Sequence, residues 1–495
     1  MTYGLASVPL ALRYLPVEEF GLFMLLLQIA GYFTLIEFGM AGSTARLLVD
    51  HKDRPEDKVY GSVISTGALV FAVQGVIILL VGLCGAPWIV ATAGVPWELR
   101  EVAVYLLRWL AFTFALATTL KMLSSVLYAN KRLDLLNIST AAGVLFGLVG
   151  MALVLASGGG LRDLAGVFVL QALLSLAIQA LACWRLRLLP PKELWGRPTL
   201  MRFKQMFAYA KDVFLVNMGN QILEASQLII VSRTMGLTAA AMWSVGTKVF
   251  NLLYQLLIRI EGTAIVFFSE MMVREEKERL KTRFRQIYQI SAGLAAVGLG
   301  FAVAINGPFV SLWAEPALAW GMPLSAGLAA VVFLNVVTRC NVDLIVHSKQ
   351  LLGLRYVYFL EALLFVVMAL LMTPIIGLYG IVASAFICVF AVRFSYTSLR
   401  VSRYFGMPAR EISWNWLKKP LLALLALAPF VVCSPFVLQT THSLALGLIL
   451  ITICVGLPAA LLLLTVALPP DTQAEMRHFL PPRLASILGR ARPAL

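Results

Sequence analysis

Runs of about twenty apolar residues recur from one end of this chain to the other. Wound as an α-helix at 1.5 Å per residue, each is long enough to cross roughly 30 Å of hydrocarbon. Of the 495 residues 60% are hydrophobic and 13% charged, against about a quarter charged in an ordinary soluble protein. The fold class expected is an all-α polytopic membrane protein. The first apolar stretch leads straight into further spans, so no cleavable secretory signal is expected.

Fourteen spans are expected, at 1–14, 19–45, 60–84, 102–129, 136–157, 164–188, 211–235, 240–270, 285–312, 322–347, 354–374, 378–400, 416–438 and 443–468. Span 1 is too short to cross, and the expectation is that it lacks the first half of a normal helix. The net charge of +15 is concentrated in alternate connections. Arg46, Lys52, Arg54 and Lys58 follow span 2, and Lys131 and Arg132 follow span 4. A dense group from Arg185 to Lys211 follows span 6, and Arg274 to Arg285 follow span 8. The intervening loops carry few cations and are short. This is the positive-inside pattern, not a nucleic-acid surface, and it puts both termini in the cytoplasm. The six cysteines and four histidines are scattered, so neither a disulfide framework nor a metal site is expected. No Walker motif or nucleophile elbow occurs, and an enzyme is not expected.

The second half echoes the first. Asn130-Lys131 falls on Ser348-Lys349, Trp88 on Trp313, and Ile36-Glu37 on Ile260-Glu261, each roughly 220 residues further on. Two pseudo-symmetric six-helix lobes of parallel topology, plus two C-terminal helices, account for this spacing. That is a transporter plan with a site expected between the lobes. The divisions are 1–188 for the N-terminal lobe and 189–210 for a basic cytoplasmic linker. The C-terminal lobe covers 211–405, the two extra helices 406–468, and a cytoplasmic tail 469–495.

Polar groups inside the spans mark candidate site residues. Lys248, Asn251, Gln255 and Arg259 follow i, i+3, i+7, i+11 and share about an 80° arc of span 8. A cation near the bilayer centre costs roughly 2.5–3.5 kcal/mol on insertion scales, so this stripe should face water or partner groups. Span 7 carries Asn217, Asn220, Gln221 and Glu224; span 10 carries Asn335, Arg339 and Asp343; span 4 carries Lys121, which the repeat sets on Arg339. These cations suit a phosphate-bearing substrate, Arg as a bidentate fork and Lys as a point charge. Simpler roles compete. Arg339 and Asp343 are one turn apart and equally suit a plain ion pair. Arg108, Arg233 and Arg393 suit snorkelling. Glu361 suits pairing with a neighbour, and amides often join helices. Glu37, Glu224, Glu261 and Asp343 are candidates for H⁺ or Na⁺ coupling, or simply balance the cations. Gly143 and Gly147 form a GxxxG expected to serve close packing.

Leu15-Pro16-Val17-Glu18-Glu19-Phe20-Gly21-Leu22 leads into span 2, which closes with Ile36-Glu37-Phe38-Gly39-Met40 and then Ala45-Arg46. This run resembles the polysaccharide transporter (O-antigen flippase) family of the multidrug/oligosaccharidyl-lipid/polysaccharide exporter superfamily. Leu15 replaces the family's usual Gly, and Glu37 its usual Asp. The resemblance implies a flippase that moves a lipid-diphosphate-linked oligosaccharide from the inner to the outer leaflet by alternating access. The product would be O-antigen, capsule or exopolysaccharide. It implies Lys248 and Arg259 as the cations meeting the diphosphate, with Lys121 and Arg339 as further candidates. It implies the inner membrane as location, glycan polymerase or glycosyltransferases as partners, and no cofactor. A multidrug or organic-cation antiporter, a lipid II flippase and a non-transporting scaffold of a glycan assembly complex remain alternatives.

Overall fold

The computed structural model describes residues 2–52, 58–348, 353–441, 443–469 and 472–473. Among them helices, turns and short irregular links occur and no β-strand. Among the described residues, eleven helices are long and apolar enough to cross a membrane. Of the fourteen expected spans, three fall outside that number. Span 1 is α1, Thr2–Tyr14, of 13 residues. Spans 7 and 8 carry the chain's densest intramembrane polar groups, which lower their hydropathy. The expected tail beyond Gln473 lies outside the described residues.

The chain divides into two compact units, Met1–Ser244 and Val245–Leu495. The boundary therefore falls after the basic connection expected to separate the lobes at 189–210. The reason is local. Helix α9, Leu200–Met235, packs with α2 (Val17–Gly31), α3 (Met40–His51) and α4 (Val59–Thr92) of the first unit. The connection itself lies against the start of α4. Ser62 Oγ donates to Arg197 O at 2.9 Å, and Thr199 N–H to Thr66 Oγ1 at 3.1 Å. A Cβ on Gly61 would collide with Leu194 O.

In the first unit α4 lies against α5, Trp97–Thr119. Gly75 and Gly82 permit it: a Cβ at Gly75 would meet Thr119 Oγ1, with Ala115 O at 2.8 Å, and one at Gly82 would meet Ala111 Cβ. After α6, Lys121–Ala129, come α7, Leu133–Ala156, and α8, Leu161–Arg185. Gly143 and Gly147 sit where α7 meets α8, and added methyls would strike Ser175 Oγ and Gln171 Oε1. The GxxxG thus serves close packing, since without hydrophobic drive between helices in lipid, intimate contact supplies the attraction. The first unit ends within α10, Leu237–Gly246.

The second unit is organised on α12, Lys277–Trp313, a 37-residue helix. At 1.5 Å per residue it is about 55 Å long, well beyond the hydrocarbon thickness. Around it pack α11 (Lys248–Val273), α13 (Met322–His347), α17 (Lys418–Gln439) and α18 (Leu444–Leu462). Its basic end is anchored by buried rings. Phe284 and Tyr288 lie 6.0 and 5.5 Å from the Trp416 ring. The unit is completed by α14 (Leu354–Ile376), α15 (Leu378–Cys388) and α16 (Ser395–Phe405); one π-helical segment, Val389–Phe394, joins the last two.

Candidate functional site

Two expected spans are broken in the first unit. Span 2 leaves α2 for a tight 3₁₀ turn over Tyr32–Glu37, and then Phe38 and Gly39 take left-handed conformations at φ 50° and 69°. For Phe38 that conformation is costly, and its ring lies against Phe214 of α9, 4.5 Å between centroids. Span 4 breaks at Leu120, φ −94° and ψ 8°, between α5 and α6. The two breaks are joined by one ion pair. Lys121 Nζ donates to both carboxylate oxygens of Glu37 at 2.6 Å. Glu37 O also accepts from Gln74 Nε2 at 3.1 Å. Residues read separately as a phosphate ligand and a coupling carboxylate are therefore partners.

Span 8 is also interrupted. It ends α10 at Gly246 and resumes at Lys248, so the first cation of the stripe opens α11. Lys248 is half-buried, and Asn251, Gln255 and Arg259 are exposed. Among the described residues, none of the four makes a side-chain hydrogen bond or ion pair. Phe250, Leu257, Glu261, Ala264 and Phe268 are buried, and at 100° per residue they centre about 150° around the helix from the stripe. Helix α11 is thus amphipathic, its apolar face toward α12 and α13 and its polar stripe turned away.

Glu261 lies on that apolar face, 2% exposed. Ser291 and Cys340 lie beside it, yet neither carboxylate oxygen receives a well-aligned hydrogen bond among the described residues. On α13 Arg339 Nε pairs with Asp343 Oδ1 at 3.0 Å, one turn on. Asn335, in line with them on the sequence, turns elsewhere: its Oδ1 accepts from Arg393 Nη2 at 2.6 Å. Glu224 is exposed on α9, as is Asn217, whereas Asn220 and Gln221 are half-buried.

Arg393 departs from the snorkelling expected of it. Its side chain is 11% exposed, and it pairs with the fully buried Glu361 at 3.0 Å and stacks over Tyr358, 5.2 Å to the ring centroid. It sits in the π-helical segment, where the widened turn carries the guanidinium inward between α13 and α14. Glu361 does pair with a neighbour. The signal available in the sequence was one acid and one base in successive apolar spans. Arg108 and Arg233 remain at the surface, bonded to Leu83 O and Thr92 O.

Counted by charge, the four candidate cations fall into two classes. Lys121 and Arg339 are each neutralised by a carboxylate of their own unit. Lys248 and Arg259 have no ion-pair partner among the described residues and share one helix face. No group of three or more His, Cys, Asp or Glu side chains arranged to hold a metal ion occurs among the described residues.

The sequence pattern of the polysaccharide biosynthesis proteins matches residues 2–272, more than half of the chain. The chain belongs to that family. Among curated proteins no sequence matches it significantly. Solved structures share its fold at low identity. A multidrug resistance transporter of the MATE family in an inward-facing conformation aligns with a TM-score of 0.73 and 13% identity, over 81% of this chain and 94% of its own. The lipid II flippase MurJ in an inward closed conformation aligns with a TM-score of 0.73 and 11% identity, over 97% of both chains. A MOP superfamily transporter from Pyrococcus furiosus aligns at 0.60 and 12%, over 82% of this chain and 93% of that one. The all-helical, multi-pass architecture is thus that of a known membrane-transporter fold.

Proposed function

We propose that this protein is a flippase that carries a lipid-diphosphate-linked oligosaccharide from the inner to the outer leaflet by alternating access. The glycan made from it is a surface polysaccharide: O-antigen, capsule or exopolysaccharide. The observation that carries the reading is the class of unpaired cations. Lys248 and Arg259, about 16 Å apart along one helix face at 1.5 Å per residue, present two positive charges that no carboxylate of the described chain cancels. A membrane helix bears such a cost only for a purpose, and a diphosphate head group supplies the missing anion. Arg259 grips phosphate oxygens as a fork and Lys248 as a mobile point charge, while Asn251 and Gln255 between them offer amides to phosphate or sugar hydroxyls. Membership of the polysaccharide biosynthesis family favours this cargo over an organic cation, for which a cationic stripe is repulsive. Arg339 and Lys121 are secondary candidates, since each already holds a carboxylate.

The return step draws on an ion, and Glu261 is the best placed carboxylate for it. It is buried without a cation in contact, so H⁺ or Na⁺ has an unfilled partner there. Glu37, Asp343 and Glu224 are less suited: the first two hold cations, and Glu224 is exposed. The flippase reading puts the protein in the cytoplasmic (inner) membrane, and the distribution of loop charge favours both termini inside. Glycosyltransferases supply its substrate and a glycan polymerase consumes its product.

The test is deletion of the gene with analysis of surface glycans, followed by complementation. Wild type restores the glycan, and Lys248→Ala/Arg259→Ala does not. Full restoration by the double variant removes the cation assignment, and an unchanged glycan profile after deletion removes the flippase reading.

A further inference from the structure

The Glu37–Lys121 pair differs from the other ion pairs in where it stands. Both partners occupy interruptions of membrane spans. Glu37 ends a 3₁₀ turn followed by two left-handed residues, and Lys121 opens α6 directly after the kink at Leu120. Non-helical backbone at membrane depth is tolerated where it is buried in protein or lines a hydrated cavity. The two side chains are also unequally accessible. That of Lys121 is 34% exposed and that of Glu37 13%. The Lys121 side chain is thus the more accessible member of the pair to an incoming anion. An ammonium imposes no planar geometry, so it exchanges one oxygen anion for another readily. A phosphate group carries more charge and more acceptor oxygens than the carboxylate it would replace.

Resting on the reading of an anionic head group given above, we propose that Lys121 is a further phosphate-binding residue, masked by Glu37 and unmasked when a substrate phosphate displaces that carboxylate. The exchange is one of ion pairs, with no bond made or broken. Its consequence is local. Released from Lys121, Glu37 no longer ties the 3₁₀ turn of span 2 to the kink of span 4. The turn then rewinds with the least resistance of any part of that span, because a 3₁₀ segment and two left-handed residues hold the weakest helical bonding. Arg339–Asp343 cannot act this way, since both partners sit on α13 one turn apart and opening them frees no second helix. The pair thus couples occupancy of the site to the geometry of two spans of the first unit.

The experiment uses the full-length protein in lipid nanodiscs, with inorganic pyrophosphate as probe and calorimetry as readout. Glu37→Gln removes the competitor's charge and is expected to bind pyrophosphate roughly tenfold more tightly than wild type, the loss of one charge-assisted hydrogen-bond pair. Glu37→Asp, which shortens the acid by one methylene, moves the same way by a smaller factor and stands in should Glu37→Gln fail to fold. The gain disappears in Glu37→Gln/Lys121→Ala. The charge swap Glu37→Lys/Lys121→Glu keeps the wild-type melting temperature but not its pyrophosphate affinity; a purely architectural pair would be restored in both. Pyrophosphate affinity in Glu37→Gln equal to or weaker than wild type, including no binding by either, overturns the proposal, as does a gain that survives loss of Lys121. If Lys248→Ala/Arg259→Ala abolishes pyrophosphate binding while the Glu37 variants leave it unchanged, this inference fails and the proposed function stands.

Discussion

Arg393→Leu is expected to be among the most destabilising single substitutions in the second unit. The Arg393 side chain is 11% exposed, and its guanidinium lies 3.0 Å from Glu361, whose side chain is fully buried. It also donates to Asn335 Oδ1 at 2.6 Å and covers the Tyr358 ring. Removing one member of a buried pair strands the other charge, and such losses run to about 3–5 kcal/mol. Glu361→Gln is milder, because Arg393 keeps Asn335 and the ring and only the ion pair's attraction is lost. Replacing both, Arg393→Leu/Glu361→Leu, removes the two desolvation costs along with the attraction and should recover most of the loss. With Glu361→Leu alone closing the double-mutant cycle, the coupling energy is at least about 2 kcal/mol. Equilibrium unfolding in mixed micelles measures it. A single Arg393→Leu variant within about 1 kcal/mol of wild type, or losses that simply add, would refute the claim that this pair is buried and mutually dependent.

Further outcomes follow from packing and from the unpaired acid. Gly82→Leu forces a side chain into Ala111 of α5 and should cost about 1–3 kcal/mol by overpacking, read as a lowered melting temperature; an unchanged value would mean that α4 and α5 are not in contact there. Ser325→Ala removes the hydroxyl that accepts from Trp320 Nε1 at 2.9 Å and Asn306 Nδ2 at 3.3 Å. A loss of about 1–3 kcal/mol is expected, visible also as a shift in tryptophan emission. Glu261→Gln should flatten the dependence of transport on the imposed ion gradient, whereas Glu270→Gln, at an exposed pair with Arg274, should leave that dependence intact; equal behaviour of the two variants would take the coupling role from Glu261.

The helices were legible because apolar length is a one-dimensional property. The polar stripe of α11 was legible for the same reason: residues on one helix keep their angular relation whatever surrounds them. Pairing between helices was not. Glu37 and Lys121 stand far apart in sequence, and nothing local to either announces the other. Asn335 lines up with Arg339 and Asp343 on the helical wheel, yet a widened turn at Val389–Phe394 brings Arg393 to it from another span. The breaks at Phe38, Leu120 and Thr247 were equally hidden. Each interrupts an apolar run without a proline, so hydropathy reads straight through it. A basic, proline-containing connection such as 189–210 looks like a free linker in sequence, and nothing local shows that its backbone is bonded to Ser62 and Thr66.

The central claim is that Lys248 and Arg259 meet the phosphates of a lipid-linked substrate, and reconstituted transport tests it most directly. Purified protein is placed in vesicles loaded with a lipid-diphosphate-linked oligosaccharide, and the fraction of substrate open to an external glycan-cleaving enzyme is followed with time. Wild type should expose the inner-leaflet pool. Lys248→Ala/Arg259→Ala should lose most of that activity, and a control at Arg274, whose charge is already paired on the same helix, should retain it. Undiminished flipping by the double variant would contradict the account.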